Sequence, residues 1–331
     1  MKLPVFFALT VLALAGTAEA KVITETVEYR QGDTVLEGYL AYDDATVGTR
    51  PGVLVIHEWT GLGDYVKMRV VQLAHLGYVA FAPDIYGKGI RPATAEAAAR
   101  EAAKYRGADR SLLRARVRAG LDELRKRPMV DGGRLAAIGY CFGGTAALEL
   151  ARSGAELRGV VSFHGGLDTP NPGDAKNIRG AVLVLHGADD PHVPPPQVTA
   201  FQEEMRRARV DWQLVFYGGA VHGFTNPDAG NDPSKGVAYD KKADLRSWEA
   251  MRLFFAEIFG KQRKSSSEIT AVTVMNYKHR TVRIPHHLGD SQRFSLDAAL
   301  KPVSVHSNES LSVSPSGIYF SHDDDESDPL S

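Results

Sequence analysis

The sequence predicts an α/β protein: a mostly parallel, doubly wound sheet flanked by helices, in a single domain. Short continuous apolar runs recur along the chain, each the length of one strand buried on both faces. Ala-, Leu- and Arg-rich stretches of helical length alternate with them, the order that builds crossover units. With 331 residues, 44% hydrophobic and 24% charged, the chain has enough apolar surface to bury a large core.

The elements follow in order. Thr24–Tyr29 and Val35–Tyr42 show partial alternation and read as strands. Gly52–His57 is a continuous apolar run, as a central parallel strand requires. Tyr65–Leu76 is amphipathic, and Val79–Pro83 is again a buried run. Residues 93–106 and 110–127 read as helices. Leu135–Tyr140, Gly159–Phe163, Ala181–His186 and Trp212–Tyr217 are further strand runs, with helices expected at 143–152, 196–208 and 236–259. No repeat or long linker interrupts residues 21–262.

Lys+Arg 39 against Asp+Glu 40 leaves a formal net charge of −1, without the basic excess that nucleic-acid binding needs. The single cysteine, Cys141, excludes an internal disulfide and any multi-cysteine metal centre.

The two ends read differently from the middle. Lys2, the apolar run Val5–Ala15 and the small-x-small site Ala18-Glu19-Ala20 form a secretory signal over residues 1–20. The mature protein is expected to begin near Lys21, in the periplasm or outside the cell; an uncleaved anchor is the alternative. Residues 263–331 are Ser-rich, end in the acidic run His322–Asp328, and read as a disordered tail, with a small β appendage as the alternative.

The chemistry gathers around Gly139-Tyr140-Cys141-Phe142-Gly143-Gly144. These residues follow an apolar strand run and open a helical one, which is the strand–turn–helix setting of a nucleophile elbow with cysteine in place of serine. Glycines on either side relieve crowding at so sharp a turn. The helix N-terminus beyond favours a thiolate and a developing oxyanion. A buried structural cysteine is the competing reading.

A base and an orienting acid should follow at later strand ends, acid first. After the run ending at His186 comes Gly187-Ala188-Asp189-Asp190-Pro191-His192, and after Tyr217 comes His222-Gly223-Phe224. His222 is the candidate base, with Asp190 or Asp189 behind it and His192 as a spare imidazole. A metal site of His186, Asp190 and His192 has no matching zinc spacing, so no metal is expected. Glu58, in His57-Glu58-Trp59-Thr60-Gly61, stands at the strand end that would carry an oxyanion loop.

These motifs, with Ala82-Pro83-Asp84-Ile85-Tyr86 and Asp190-Pro191-His192-Val193-Pro194, make the sequence resemble the dienelactone hydrolase family of the α/β-hydrolase superfamily over residues 24–260. The resemblance implies Cys141 as nucleophile, His222 as base and Asp190 as its acid. It implies Glu58 as the glutamate that pairs with the resting thiol, and the backbone N–H groups of Trp59 and Phe142 as the oxyanion hole. The implied reaction opens an enol-lactone, as a carboxymethylenebutenolidase does, through an acyl-enzyme and without a cofactor. The expected partner is a small ester or lactone. Nucleic acid and stable membrane insertion after leader cleavage are not expected, and the chain is expected to be a monomer.

The substrate-binding positions depart from the family pattern. Where the family places arginines to hold a substrate carboxylate, this chain has Lys88, with Arg91 three residues on, and Asn226. Lysine is not equivalent to arginine at a bidentate carboxylate site, and asparagine carries no charge. An esterase or thioesterase for uncharged esters, and an exported binding protein without turnover, are therefore alternatives.

Overall fold

The computed structural model describes residues 21–260 and, beyond them, four short strands. The expected signal segment 1–20 lies outside the described residues, as does most of the Ser-rich segment. The chain divides into two compact units, Met1–Gln262 and Arg263–Ser331.

In the larger unit the order is β1 (Val22–Gln31), β2 (Thr34–Asp43), β3 (Arg50–Ile56), α1 (Asp64–His75), β4 (Val79–Ala82), α2 (Ala95–Arg106), α3 (Ser111–Arg125) and β5 (Val130–Tyr140). It continues with α4 (Phe142–Arg152), β6 (Gly159–Phe163), β7 (Ala181–Gly187), α5 (Pro195–Ala208), β8 (Trp212–Tyr217) and α6 (Lys241–Ile258). Eight strands form one sheet in the order β1-β2-β4-β3-β5-β6-β7-β8. Strands β4 to β8 run parallel, and β1 and β2 add an antiparallel hairpin at one edge.

The pleat sorts each buried run to two faces. Leu54, Ile56 and Ala137 face a core with α3, α4 and α5, whereas Val53, Val55, Ala136 and Ile138 face one with α1 and α6. This explains why the central runs lack alternation: both faces are covered.

Two boundaries differ most from the sequence expectation. Strand β5 begins at Val130, not Leu135, because Val130 and Asp131 pair with Arg50 and Pro51 before the register shifts at Gly52. Helix α6 begins at Lys241, not 236, because the Asp240 side chain accepts from Lys242 N and Ala243 N and caps it there. Residues 236–238 instead hydrogen-bond on either side of His222: His222 N donates to Gly236 O, and Ala238 N donates to His222 O.

Charged groups tie the helices on the α3–α5 face together. Arg152 is fully buried and donates from Nε (2.7 Å) and Nη2 (2.8 Å) to the Glu204 carboxylate of α5, and from Nη1 to Glu149 (3.1 Å). Arg114 of α3 donates to the other Glu149 oxygen at 2.9 Å. In the smaller unit, β9 (Ala271–Met275) pairs antiparallel with β10 (Thr281–Pro285), and β11 (Ser310–Ser314) with β12 (Gly317–Ser321).

A buried ion-pair network is costly to break from one side, since the remaining charge keeps its desolvation penalty. Arg152→Met should therefore lower the unfolding free energy by about 3–5 kcal/mol, read from urea denaturation of the two proteins.

Candidate active site

The carboxyl ends of the parallel strands carry the polar side chains. His57 follows β3, Asp84 follows β4, Cys141 follows β5, His164 follows β6, Asp190 follows β7 and His222 follows β8. In an open parallel sheet this edge is where ligands bind.

Cys141 sits between β5 and α4 at φ +54°, a left-handed conformation uncommon for a side-chain-bearing residue. The close packing of its turn explains the flanking glycines. A Cβ on Gly139 would strike the Gly143 carbonyl, and one on Gly143 would strike the Ile56 carbonyl.

The structure brings three of the expected residues together. Cys141 Sγ lies 3.1 Å from His222 Nε2, and His222 Nδ1 lies 2.8 Å from Asp190 Oδ2. Asp190 is buried, and its other oxygen accepts from His192 N at 2.8 Å, whereas Asp189 is exposed. His192 is exposed, with its ring 5.1 Å from that of His222. Among the described residues, no group of three or more His, Cys, Asp or Glu side chains is placed to hold a metal ion.

Charge follows this geometry. Burial opposes a charged His222, but the negative charge available at the Cys141 sulfur and the hydrogen bond to Asp190 outweigh it and raise its pKa to about 10. Burial alone would raise the Asp190 pKa; the hydrogen bond from His222 and the charge on that ring lower it instead.

Glu58 is placed differently from the implied thiol contact. Its Oε2 accepts from Asn226 Nδ2 at 2.8 Å, and the thiol's hydrogen bond is with His222. Burial raises the Glu58 pKa, partly offset by the Asn226 hydrogen bond. The loop around Glu58 is anchored through its carbonyls. Ile85 N donates to His57 Nε2, which leaves Nδ1–H to donate to Glu58 O at 2.6 Å. Burial lowers the His57 pKa to about 4 and keeps this imidazole neutral. Tyr86 OH donates to Trp59 O (2.7 Å), and Arg91 Nε donates to Leu62 O (3.0 Å). The backbone N–H groups of Trp59 and Phe142 have no hydrogen-bond partner among the described residues.

The cations named for a carboxylate clamp are engaged elsewhere. Lys88 is paired with Glu28 of β1 and Glu37 of β2. Arg91, besides its bond to Leu62 O, lies 3.6 Å from Asp84. Sequence reasoning missed His57, Tyr86, His164 and Thr225 as site-forming residues. The available signal was position: His57 and His164 each follow a buried strand at the same edge, and Tyr86 and Thr225 lie within a few residues of Asp84 and His222, which do likewise.

A mostly parallel sheet that presents a thiol, a carboxylate and an imidazole in that chain order at its carboxyl edge is the architecture of an α/β-hydrolase. The dienelactone hydrolase family model matches residues 36–259. A solved structure named m3DLH is 46% identical, with a TM-score of 0.69 over 72% of this chain and 98% of its own. A dienelactone hydrolase-like promiscuous phosphotriesterase from metagenomic libraries is 44% identical, with a TM-score of 0.68 over the same 72% and 98%. A putative carboxymethylenebutenolidase of Salmonella typhimurium is 28% identical over 243 residues, which are 70% of this chain and 86% of that relative. The chain belongs to the dienelactone hydrolase family and is a hydrolase acting on carboxylic ester bonds.

The raised pKa of His222 makes a stability prediction. Between its unfolded value near 6.5 and its folded value of about 10, the folded protein holds a proton that the unfolded chain releases. The stabilisation is complete below the lower value and lost as pH rises through the upper one. Urea midpoints should therefore fall across that window for the wild type and fall less steeply for His222→Gln.

Proposed function

We propose that the chain hydrolyses small uncharged esters and lactones through a Cys141 acyl-enzyme, with His222 as the base and Asp190 orienting it. The observation that carries this reading is the unbroken contact from Cys141 Sγ to His222 Nε2 (3.1 Å) and from His222 Nδ1 to Asp190 Oδ2 (2.8 Å). With Asp190 accepting at Nδ1, the ring presents Nε2 to the sulfur, as a proton acceptor when neutral.

In this reading the Cys141 thiolate attacks the acyl carbon and forms a C–S bond, while the carbonyl oxygen takes up negative charge. The free N–H groups of Trp59 and Phe142 face that oxygen, and the N-terminus of α4 adds its dipole. The tetrahedral adduct collapses, the ester C–O bond breaks, and the leaving oxygen takes the proton held on His222. The neutral imidazole then draws a proton from water, whose oxygen attacks the thioester. The thiolate departs, leaving the acid product and a protonated His222. Glu58, held by Asn226, is a second titratable group in the adjoining loop, its pKa raised by burial.

The preference for uncharged substrates rests on the cations. Lys88 is paired with Glu28 and Glu37, Arg91 holds a backbone carbonyl, and Asn226 is neutral. A substrate carboxylate thus lacks the bidentate partner it needs. Phosphotriester cleavage is a second reading, favoured by the 44% identity to the promiscuous phosphotriesterase and by the same lack of a charge requirement.

Purified protein from Lys21 onward should release p-nitrophenol from p-nitrophenyl acetate, and Cys141→Ala should lose at least about 10³-fold in kcat/KM. A neutral lactone should turn over faster than its carboxylated counterpart. Undiminished activity in Cys141→Ala would remove the assigned nucleophile, and tight ester binding without turnover would favour a binding protein. Paraoxon hydrolysis that depends on Cys141 would extend the activity to phosphotriesters. Read as a secretory signal, residues 1–20 put the enzyme in the periplasm or outside the cell in this proposal. N-terminal sequencing of the protein from its native compartment should begin near Lys21.

A further inference from the structure

Behind the three residues of the proposed triad lies a buried polar chain that the reaction described above does not use. His164 follows β6, is 1% exposed, and adopts φ +39° without being glycine. Such a conformation persists only where surrounding contacts impose it. Its ring packs edge-on against His222, with centroids 5.4 Å apart.

The hydrogen bonds define its state. Cys141 N donates to His164 Nδ1 at 3.2 Å, sharing that N–H with Phe163 O at 3.0 Å. Nδ1 is therefore the lone-pair nitrogen, and Nε2 carries the proton. Nε2 lies 2.7 Å from Thr225 Oγ1 and so donates to it. Thr225 Oγ1 lies 2.6 Å from Tyr65 OH, which accepts from Arg69 Nε at 3.2 Å. Arg69 Nη2 also donates to Thr225 O at 2.8 Å and to the Asp244 carboxylate. His164, Arg69 (4% exposed) and Thr225 are buried, so the centre of this chain is screened from water, with Tyr65 partly exposed.

The chain spans the two loops whose separation sets the Cys141–His222 distance. At one end it holds the backbone N–H of Cys141. At the other it holds both the hydroxyl and the carbonyl of Thr225, three residues after His222. We propose that His164 and Thr225 are positioning residues for the hydrolytic reaction: neutral His164 couples the nucleophile turn to the His222 loop through Thr225, and Tyr65, Arg69 and Asp244 anchor that coupling. The proposal rests on the reading of Cys141 and His222 as nucleophile and base. Neither His164 nor Thr225 touches substrate or exchanges a proton in it. Their contribution is to hold Sγ and Nε2 at reacting distance, where a shift of about 1 Å costs on the order of 100-fold in rate.

The test uses Thr225→Val, which keeps the side-chain shape and removes the acceptor for His164 Nε2–H, together with Thr225→Ser and Tyr65→Phe. Steady-state p-nitrophenyl acetate hydrolysis, the rate of Cys141 alkylation by iodoacetamide and the melting temperature are measured for each. Thr225→Val should lower kcat by about 10- to 100-fold with KM within twofold, and slow alkylation in parallel. Thr225→Ser should restore both, and Tyr65→Phe should fall between them. If Thr225→Val or Tyr65→Phe melts lower yet keeps wild-type kcat and alkylation rate, the chain is structural only and the proposal is overturned. Should Thr225→Val not fold, Tyr65→Phe decides by the same two rates. Cys141→Ala, run alongside, separates the two readings: if it keeps full activity, the nucleophile assignment fails on its own account, whatever the Thr225 variants do.

Discussion

The left-handed turn at Cys141 is the constraint around which the rest of this site is arranged. A side-chain-bearing residue at φ +54° is held there by its surroundings: β5 on one side, α4 on the other, and the Ile56 backbone pressed against Gly143. That crowding holds Cys141 at the carboxyl end of β5, with its sulfur against His222 and the first residue of α4 next to it. It also explains the small residues at 139, 143 and 144. The Gly143 and Gly144 backbones approach β3 and β6 so closely that any side chain would push the strands apart. Because the neighbouring strands carry His57 and His164 at their ends, the same close approach brings those rings next to the turn.

Much of the fold is legible in the sequence because buried parallel strands are unusually plain there. GVLVIH, LAAIGY, GVVSF and AVLVLH are strand-length, mostly apolar runs with helical stretches between them, and covering both faces of the sheet leaves little room for polar side chains inside them, the small Ser162 being an exception. The start of α6 is harder to read, since 236–240 has a helix-compatible composition but spends its backbone hydrogen bonds on His222, Phe224 and Gly230. A bridge between segments 15 residues apart leaves no local pattern. The Val130–Asp131 extension of β5 is hidden for a similar reason: Gly132 and Gly133 interrupt the apolar run, and only pairing with Arg50 and Pro51 makes it a strand.

The site divides along the same line. Cys141, Asp190 and His222 stand out because each follows a strand in the expected order, and a glycine-rich turn marks the first. Partner choice is less visible. Nothing in the residue types says that Asn226 rather than the thiol meets Glu58, or that Lys88 turns to Glu28 and Glu37 on the antiparallel hairpin. Those outcomes depend on where side chains from separate elements end up, over sequence distances of 168 and 60 residues. The buried histidines escape notice for another reason. A histidine after an apolar run is ordinary, and only its two hydrogen bonds distinguish a neutral clamp such as His57 from His222, held between Asp190 and Cys141.

The parallel bridge between His222 and Val237 closes the base of an excursion that runs through two short 3₁₀ turns, Pro227–Ala229 and Pro233–Lys235. Its stem is bonded on both sides of His222, so the tip can change without carrying the imidazole with it. Loop-closure entropy grows only slowly with length, so a longer or shorter tip costs little once the stem is formed. The excursion also holds Asn226, next to Glu58. Evolution and the protein engineer are thus offered a detachable brim on a fixed hinge post: the tip beyond Asn226 can be rewritten, inserted into or trimmed while the bonded stem keeps the His222 imidazole in place.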